Sequence, residues 1–228
     1  MPLWRGMAYE TLPPPPAVIF DMDGLIFDTE ALWREALLRA GAEHGLAQVD
    51  EAVIHATVGA PWQRTRLLFA DLLGSGEAAD ALRVSWRQHY DALAHAGPQL
   101  KPGVLELLDV LEAKGIRRAI ATGSYRDVVG HHLDAAGLTP RFETVVTNED
   151  YTKGKPSPEP YLTAAARLGV APELCWALED SPNGVRSGHA AGMVTFMVPD
   201  LLQPDAELAA LCYRVCDSLL DVRDLLAG

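Results

Sequence analysis

An α/β fold is what the sequence predicts: a Rossmann-like parallel sheet with helices on both faces and a small helical block inserted into it. Three observations predict it. Short apolar runs such as Ala17-Val-Ile-Phe20, Ala119-Ile-Ala121 and Cys175-Trp-Ala-Leu178 read as strands buried on both faces. Helical periodicity fills the spaces between them, and strand, helix, strand repeated in this way argues for parallel pairing. One long stretch, from about Thr29 to Gly97, shows helical spacing and no strand.

The elements follow in order. The first strand ends at Asp21-Met22-Asp23-Gly24, and Thr29 then caps a helix in which Trp33, Ala36, Leu37 and Ala40 recur at helical spacing. Segments at Val49 to Thr57, Arg64 to Leu73 and Glu77 to Ala94 read as helices, broken at Gly59-Ala60-Pro61 and Gly74-Ser75-Gly76. Alternation resumes after Lys101-Pro102-Gly103 with a helix through Leu105, Leu108 and Leu111, then a strand at Arg117 to Ala121. Further strands are expected at Thr144 to Thr147, Cys175 to Leu178 and Val194 to Val198, with Tyr213 to Cys216 as a candidate sixth. Helices are expected near Arg126 to Ala136, Pro158 to Leu168 and Asn183 to Ala191. This gives a core of residues 15–30 and 98–228 and a helical cap of residues 31–97.

Composition bounds the function. The 228 residues are 49% hydrophobic, enough to bury a full core, and carry a formal charge of -12 that would repel a phosphate backbone. Nucleic acid is therefore an unfavourable partner, whereas one small phosphate ester can be met by local positive groups. The three cysteines, Cys175, Cys212 and Cys216, have no metal-ligand spacing and imply no disulfide framework, which fits a reducing compartment. No run approaches the ~20 apolar residues needed to cross a bilayer. A cytoplasmic location without a membrane partner is the expectation; oligomeric state is open, a monomer included.

In a parallel sheet the ligand sits beyond the carboxyl ends of the strands, and four such ends carry chemistry. Asp21 and Asp23 alternate along an extended segment, so both can face one site, one ionised as nucleophile and metal ligand and the other able to carry a proton. A calcium loop would need more acids where Leu25, Ile26 and Phe27 stand. Thr122, Gly123 and Ser124 follow the second strand, where a hydroxyl and amides at a helix N-terminus can meet an anion; ordinary capping explains them equally well. In Lys153-Gly154-Lys155-Pro156-Ser157-Pro158, a cation is required if phosphate is to sit beside carboxylates, and Lys155, next to Pro156, is favoured over Lys153. Glu179 and Asp180 end the strand at Leu178. Acids on the same rim as Asp21 and Asp23 repel one another unless a cation sits between them, and Mg2+ suits an all-oxygen site shared with phosphate.

Together these residues resemble the four motifs of the haloacid dehalogenase-like superfamily, in the branch of sugar-phosphate phosphatases and β-phosphoglucomutases. The resemblance runs from Ala17 to about Val198 and includes Asp28-Thr29, Lys101-Pro102-Gly103 and Glu179-Asp180-Ser181. It implies that Asp21 becomes phosphorylated, that Asp23 protonates the leaving alcohol and later activates water, and that Thr122 and Lys155 hold the phosphoryl oxygens. It also implies Mg2+ bound by the Asp21 carboxylate, the Asp23 carbonyl and Asp180, with Glu179 direct or through water. The helical block resembles the cap these enzymes insert, in which Trp62 and Arg64 of Gly59-Ala60-Pro61-Trp62-Gln63-Arg64 are candidates to contact substrate; packing in the helical core is the competing expectation for Trp62.

The expected function is hydrolysis of small phosphate monoesters, sugar or sugar-alcohol phosphates, through an aspartyl-phosphate. A β-phosphoglucomutase-type activity is the alternative, although Trp33 and Trp62 stand where that enzyme carries a His and an Arg, and Trp33 resembles the residue of hexose- and hexitol-phosphate phosphatases. A phosphate-binding protein without turnover is a third reading, disfavoured by the completeness of the motifs. Asp23, Glu179 and Asp180 weigh against dehalogenation.

Overall fold

The computed structural model describes residues 12–46, 49–57, 62–95 and 97–227. The chain divides into two units, one formed by the residues up to Asp28 together with those from Gln99 onward, the other by Thr29–Pro98.

The first unit is built on a parallel sheet of β1 (Ala17–Phe20), β2 (Arg117–Ala121), β3 (Thr144–Val146), β4 (Cys175–Glu179), β5 (Val194–Met197) and β6 (Arg214–Val215) in the order β3-β2-β1-β4-β5-β6. The first strand is central and buried throughout, which explains its unbroken apolar run. Alternation splits its side chains between two layers. Val18, Phe20 and Met22 join a cluster with Leu107, Leu111, Trp176 and Phe196, while Ala17 and Ile19 face Tyr161, Ala164 and Ala177.

Helices α5 (Val104–Ala113), α6 (Arg126–Ala135) and α10 (Leu219–Ala227) contribute to the first layer, and α7 (Glu159–Leu168) packs in the second. Helix α8 (Pro182–Ala190) lies against β4 and β5. It comes very close: a Cβ on Gly188 would stand 2.9 Å from that of Ala177. A short helix, α9 (Ala206–Ala209), precedes β6.

The second unit comprises α1 (Thr29–Glu43), α2 (Glu51–Thr57), α3 (Trp62–Leu73) and α4 (Gly76–His95). Leu37, Ala40, Ile54, Phe69 and Leu82 form its main buried cluster. Trp33 stacks on Tyr90 at 4.1 Å between ring centroids, and its carbonyl accepts a 2.9 Å hydrogen bond from the Trp86 indole.

Differences from expectation lie at element ends. The third strand stops one residue early because Thr147 caps a 3₁₀ turn, Asn148–Asp150, in a capping box with Asp150. The sixth strand is only two exposed residues. His132 of α6 is buried and meets the Phe27 ring edge-on.

Candidate active site

Register places the first functional groups. Phe20 pairs with Leu178 across β1 and β4 and with Ile120 across β1 and β2. The Asp21 amide continues the ladder, donating to the Leu178 carbonyl at 2.9 Å, so Asp21 emerges beside Glu179, and Thr122 leaves the sheet on the other flank. The chain then turns sharply. The Gly24 amide donates to the Phe27 carbonyl at 2.8 Å, and Leu25, Ile26 and Phe27 fold into the core, which excludes the calcium-loop reading. Gly24 has a positive φ of 83°, and a Cβ there would collide with Asp180. Glycine is therefore required both for the turn and for the approach of that carboxylate.

Lys155 reaches the rim from the segment between Asn148–Asp150 and α7. Its ammonium donates to both Asp21 and Glu179, and all three side chains are nearly enclosed. Lys153, the competing lysine, instead has its amide held by Glu159 at 3.0 Å. The segment is anchored upstream by Asp150, whose carboxylate accepts from Arg126 at 2.8 Å, Arg167 at 2.6 Å and the Thr147 amide at 2.8 Å. These donors hold the Asp150 carboxyl well below the usual range, the Arg167 bond most strongly.

Glu179 is fully buried and held on every side. Tyr161 donates its phenol O–H at 2.8 Å, Ser181 its hydroxyl at 3.2 Å, and Lys155 the charge. Ser181 also caps α8 by accepting from the Gly184 amide at 3.1 Å. A Cβ on Gly184 would fall on the Glu179 carboxyl, so the helix can start here only with glycine facing the acid.

Asp23 is held differently, by hydroxyls. Ser124 donates to its Oδ2 at 2.6 Å and Thr122 at 3.3 Å, while the Ser124 amide donates to the Thr122 hydroxyl at 3.0 Å. Tyr151 fixes the Thr122 carbonyl at 3.0 Å. The two acids of the opening motif thus occupy distinct settings, one against an ammonium and the other against alcohols.

The crowded, buried carboxyls shift one another's acidity. Burial, reinforced by Glu179 and Asp23, pushes Asp21 up to about 8 despite the opposing pull of Lys155. Asp180 is raised well above the carboxylate range by burial and by Asp21 and Glu179. Burial opposes the charge on Lys155, yet Asp21 and Glu179 outweigh it and raise its pKa. Oxygens of Asp21, Glu179 and Asp180 lie within 4.8 Å of one another, a hard, all-oxygen set that fits Mg2+.

The structure therefore brings Asp21, Lys155, Glu179 and Asp180 together, with Asp23, Thr122 and Ser124 beside them. Trp62 and Arg64 belong to the helical unit, where Trp62 packs against the main cluster with the Arg83 guanidinium 4.6 Å over its ring and Arg64 is exposed. Gly59, Ala60 and Pro61 lie outside the described residues. Tyr161 and Asp200 escaped the sequence reading, and Lys101 entered it only within Lys101-Pro102-Gly103. Tyr161 sits in an apolar helix face and gave no signal, whereas Asp200 follows β5 and the strand-end rule would have found it.

Comparison with known proteins agrees with this arrangement. The chain is 36% identical over 175 residues to hexitol phosphatase A of Escherichia coli K12, covering 76% of this chain and 78% of that one. It is 32% identical over 181 residues to a phosphorylated carbohydrates phosphatase of Thermotoga maritima, covering 78% and 82%. Among solved structures, a haloacid dehalogenase (HAD) family hydrolase from Deinococcus radiodurans R1 with bound phosphate and sodium superposes with a TM-score of 0.79 at 29% identity, covering 94% of this chain and 96% of that one. Residues 18–198 match the family model for haloacid dehalogenase-like hydrolases, and with four strand ends converging as described the chain belongs to that family.

Proposed function

We propose that this protein is a Mg2+-dependent phosphatase of small phosphate monoesters, sugar or sugar-alcohol phosphates, working through an aspartyl-phosphate. The observation that carries the reading is the Lys155 ammonium bonded to Asp21 and Glu179, with the Asp180 carboxylate alongside. Anionic nucleophiles are repelled by a phosphate monoester, and charge must be neutralised where attack occurs. The names of the two phosphatase relatives support the substrate class.

In this reading the Asp21 and Asp180 carboxylates and the Asp23 carbonyl would hold the ion, with Glu179 direct or through water. When bound, it offsets the negative charge of nucleophile and phosphate and favours ionised Asp21. An Asp21 oxygen attacks phosphorus in line as the ester P–O bond breaks, and Asp23 gives its proton to the departing alkoxide. Asp23 then takes a proton from water, whose oxygen attacks the phosphoryl group and frees Asp21 and inorganic phosphate. Thr122, the amides of Gly123 and Ser124, and Lys155 hold the phosphoryl oxygens. Ser124 and Thr122, already bonded to Asp23, orient its proton-bearing carboxyl. The helical unit acts as the specificity-bearing cap, with Arg64 the candidate contact for a substrate hydroxyl or second charge and Trp62 a candidate against the sugar ring. The free, buried state of all three cysteines suits a cytoplasmic enzyme meeting a small phosphorylated metabolite.

The test is phosphate release from a panel of phosphorylated sugars and sugar alcohols with Mg2+ present. Release from at least one, abolished by chelation, is expected. No release from any overturns the proposal, and conversion of β-glucose 1-phosphate to glucose 6-phosphate without release replaces it with the mutase.

A further inference from the structure

We infer that Asp200 is a positioning residue for the divalent-ion site, accepting a hydrogen bond from the hydration water of the ion through an oxygen that Lys101 leaves free. The inference rests on the metal-dependent reading above and assigns the site a further residue. Asp200 lies just beyond β5, and the Val198 amide that precedes it is tied to the Glu179 carbonyl at 2.7 Å. Its Oδ1 accepts from the Lys101 ammonium at 2.7 Å. Its Oδ2 is buried and has no hydrogen-bond partner among the described residues.

An ordinary surface ion pair would leave that second oxygen in water. Here it is buried near Asp180, a member of the candidate ion group. The missing side chain of Gly24 marks the place: a Cβ there would collide with Asp180 Oδ2 and come within 3.4 Å of Asp200 Oδ2. Oxygens of Asp180 and Asp200 thus both border the space beside Gly24, and the Asp200 oxygen has no donor there among the described residues, an arrangement that repels unless a donor or a cation enters.

Direct ligation is the less suitable role. Asp21, Glu179 and Asp180 form the group whose oxygens lie within 4.8 Å of one another, and Asp200 stands outside it, adjacent to Asp180. Mg2+ retains several of its waters when protein carboxylates bind it, and those waters need acceptors. Lys101 is itself placed by the opening turn, its amide donating to the Ile26 carbonyl at 2.9 Å, so the acceptor is fixed by the loop that carries Asp21 and Asp23. Outer groups of this kind commonly change ion affinity by about 10- to 100-fold when removed.

Mg2+ affinity of the full-length protein without substrate, measured by titration calorimetry, tests the inference separately from turnover. Asp200→Asn is expected to weaken binding by about tenfold or more, with the circular dichroism spectrum of the ion-free protein unchanged. Asp224→Asn removes the same charge from a largely exposed position and is expected to leave affinity unaltered. Unchanged affinity in Asp200→Asn, or an equal loss in Asp224→Asn, overturns the role of Asp200 while leaving the phosphatase reading intact. Absence of Mg2+ binding to the unaltered protein overturns both. If Asp200→Asn does not fold, Asp200→Ser is measured in the same way, and retained affinity there also refutes the assignment.

Discussion

Charged pairs on the helical unit and at the sheet rim are built on opposite principles. In the helical unit Arg39 meets Glu35, Arg66 meets Asp80 and Arg87 meets Asp91, all at 2.8 Å with the side chains in each pair largely exposed. At the sheet rim, Lys155 meets Asp21 and Glu179 with exposures of 12%, 9% and 0%. Exposed pairs are screened by water and salt and contribute little. Buried charges cost desolvation and gain from one another only with good geometry, so a rim gathering Asp21, Glu179 and Asp180 about the Lys155 ammonium is poor design for stability alone. The difference marks which charges serve the fold's surface and which serve chemistry.

The strongest way to break this contrast is Asp21→Asn. It changes a charge and hardly a shape, so turnover should fall at least about 100-fold while the circular dichroism spectrum stays the same. Retention of more than about a hundredth of the activity would remove Asp21 as nucleophile.

A smaller effect concerns acidity. Asp21 rises from 3.8 to about 8 in the ion-free fold, so between those values the folded state keeps a proton that the unfolded chain has lost. Ion-free stability from this group therefore falls as pH rises from about 4 to about 8, and Asp180 shifts in the same sense. An ion bound to the carboxylates lifts that penalty. The rise in melting temperature on adding Mg2+ should be several degrees larger at about pH 8 than at about pH 5. An equal rise at both would show that these carboxylates are already ionised without the ion.

The smallest effect belongs to the exposed pairs. Asp80→Asn, which removes the partner of Arg66, should leave both melting temperature and turnover unchanged within measurement error. A clear loss of stability would erase the distinction between the two classes of ion pair.

Much of the rim was legible because its signal is local. An apolar run followed by a polar residue marks both a buried strand and its exit, and Asp21, Thr122 and Glu179 each stand at such an exit. Lys155 lies in a loop and needed a chemical argument, that phosphate among acids requires a cation. The helical unit was legible only as helices. Trp33 and Trp62 show the same helical spacing whether they pack or bind, and the structure packs Trp33 between Tyr90 and Trp86.

By itself the sequence determined the strands, the helices and the residue types delivered to one end of the sheet, because periodicity and the passage from apolar to polar are properties of neighbouring residues. Tertiary structure alone decided the partnerships: Lys155 with Asp21, 134 positions away, Lys101 with Asp200, 99 away, and the Tyr161 hydroxyl on Glu179. Those depend on which strands lie side by side and in what register. They depend equally on how closely α8 can approach through Gly184 and Gly188, where a missing side chain leaves room for a carboxylate or for the sheet itself.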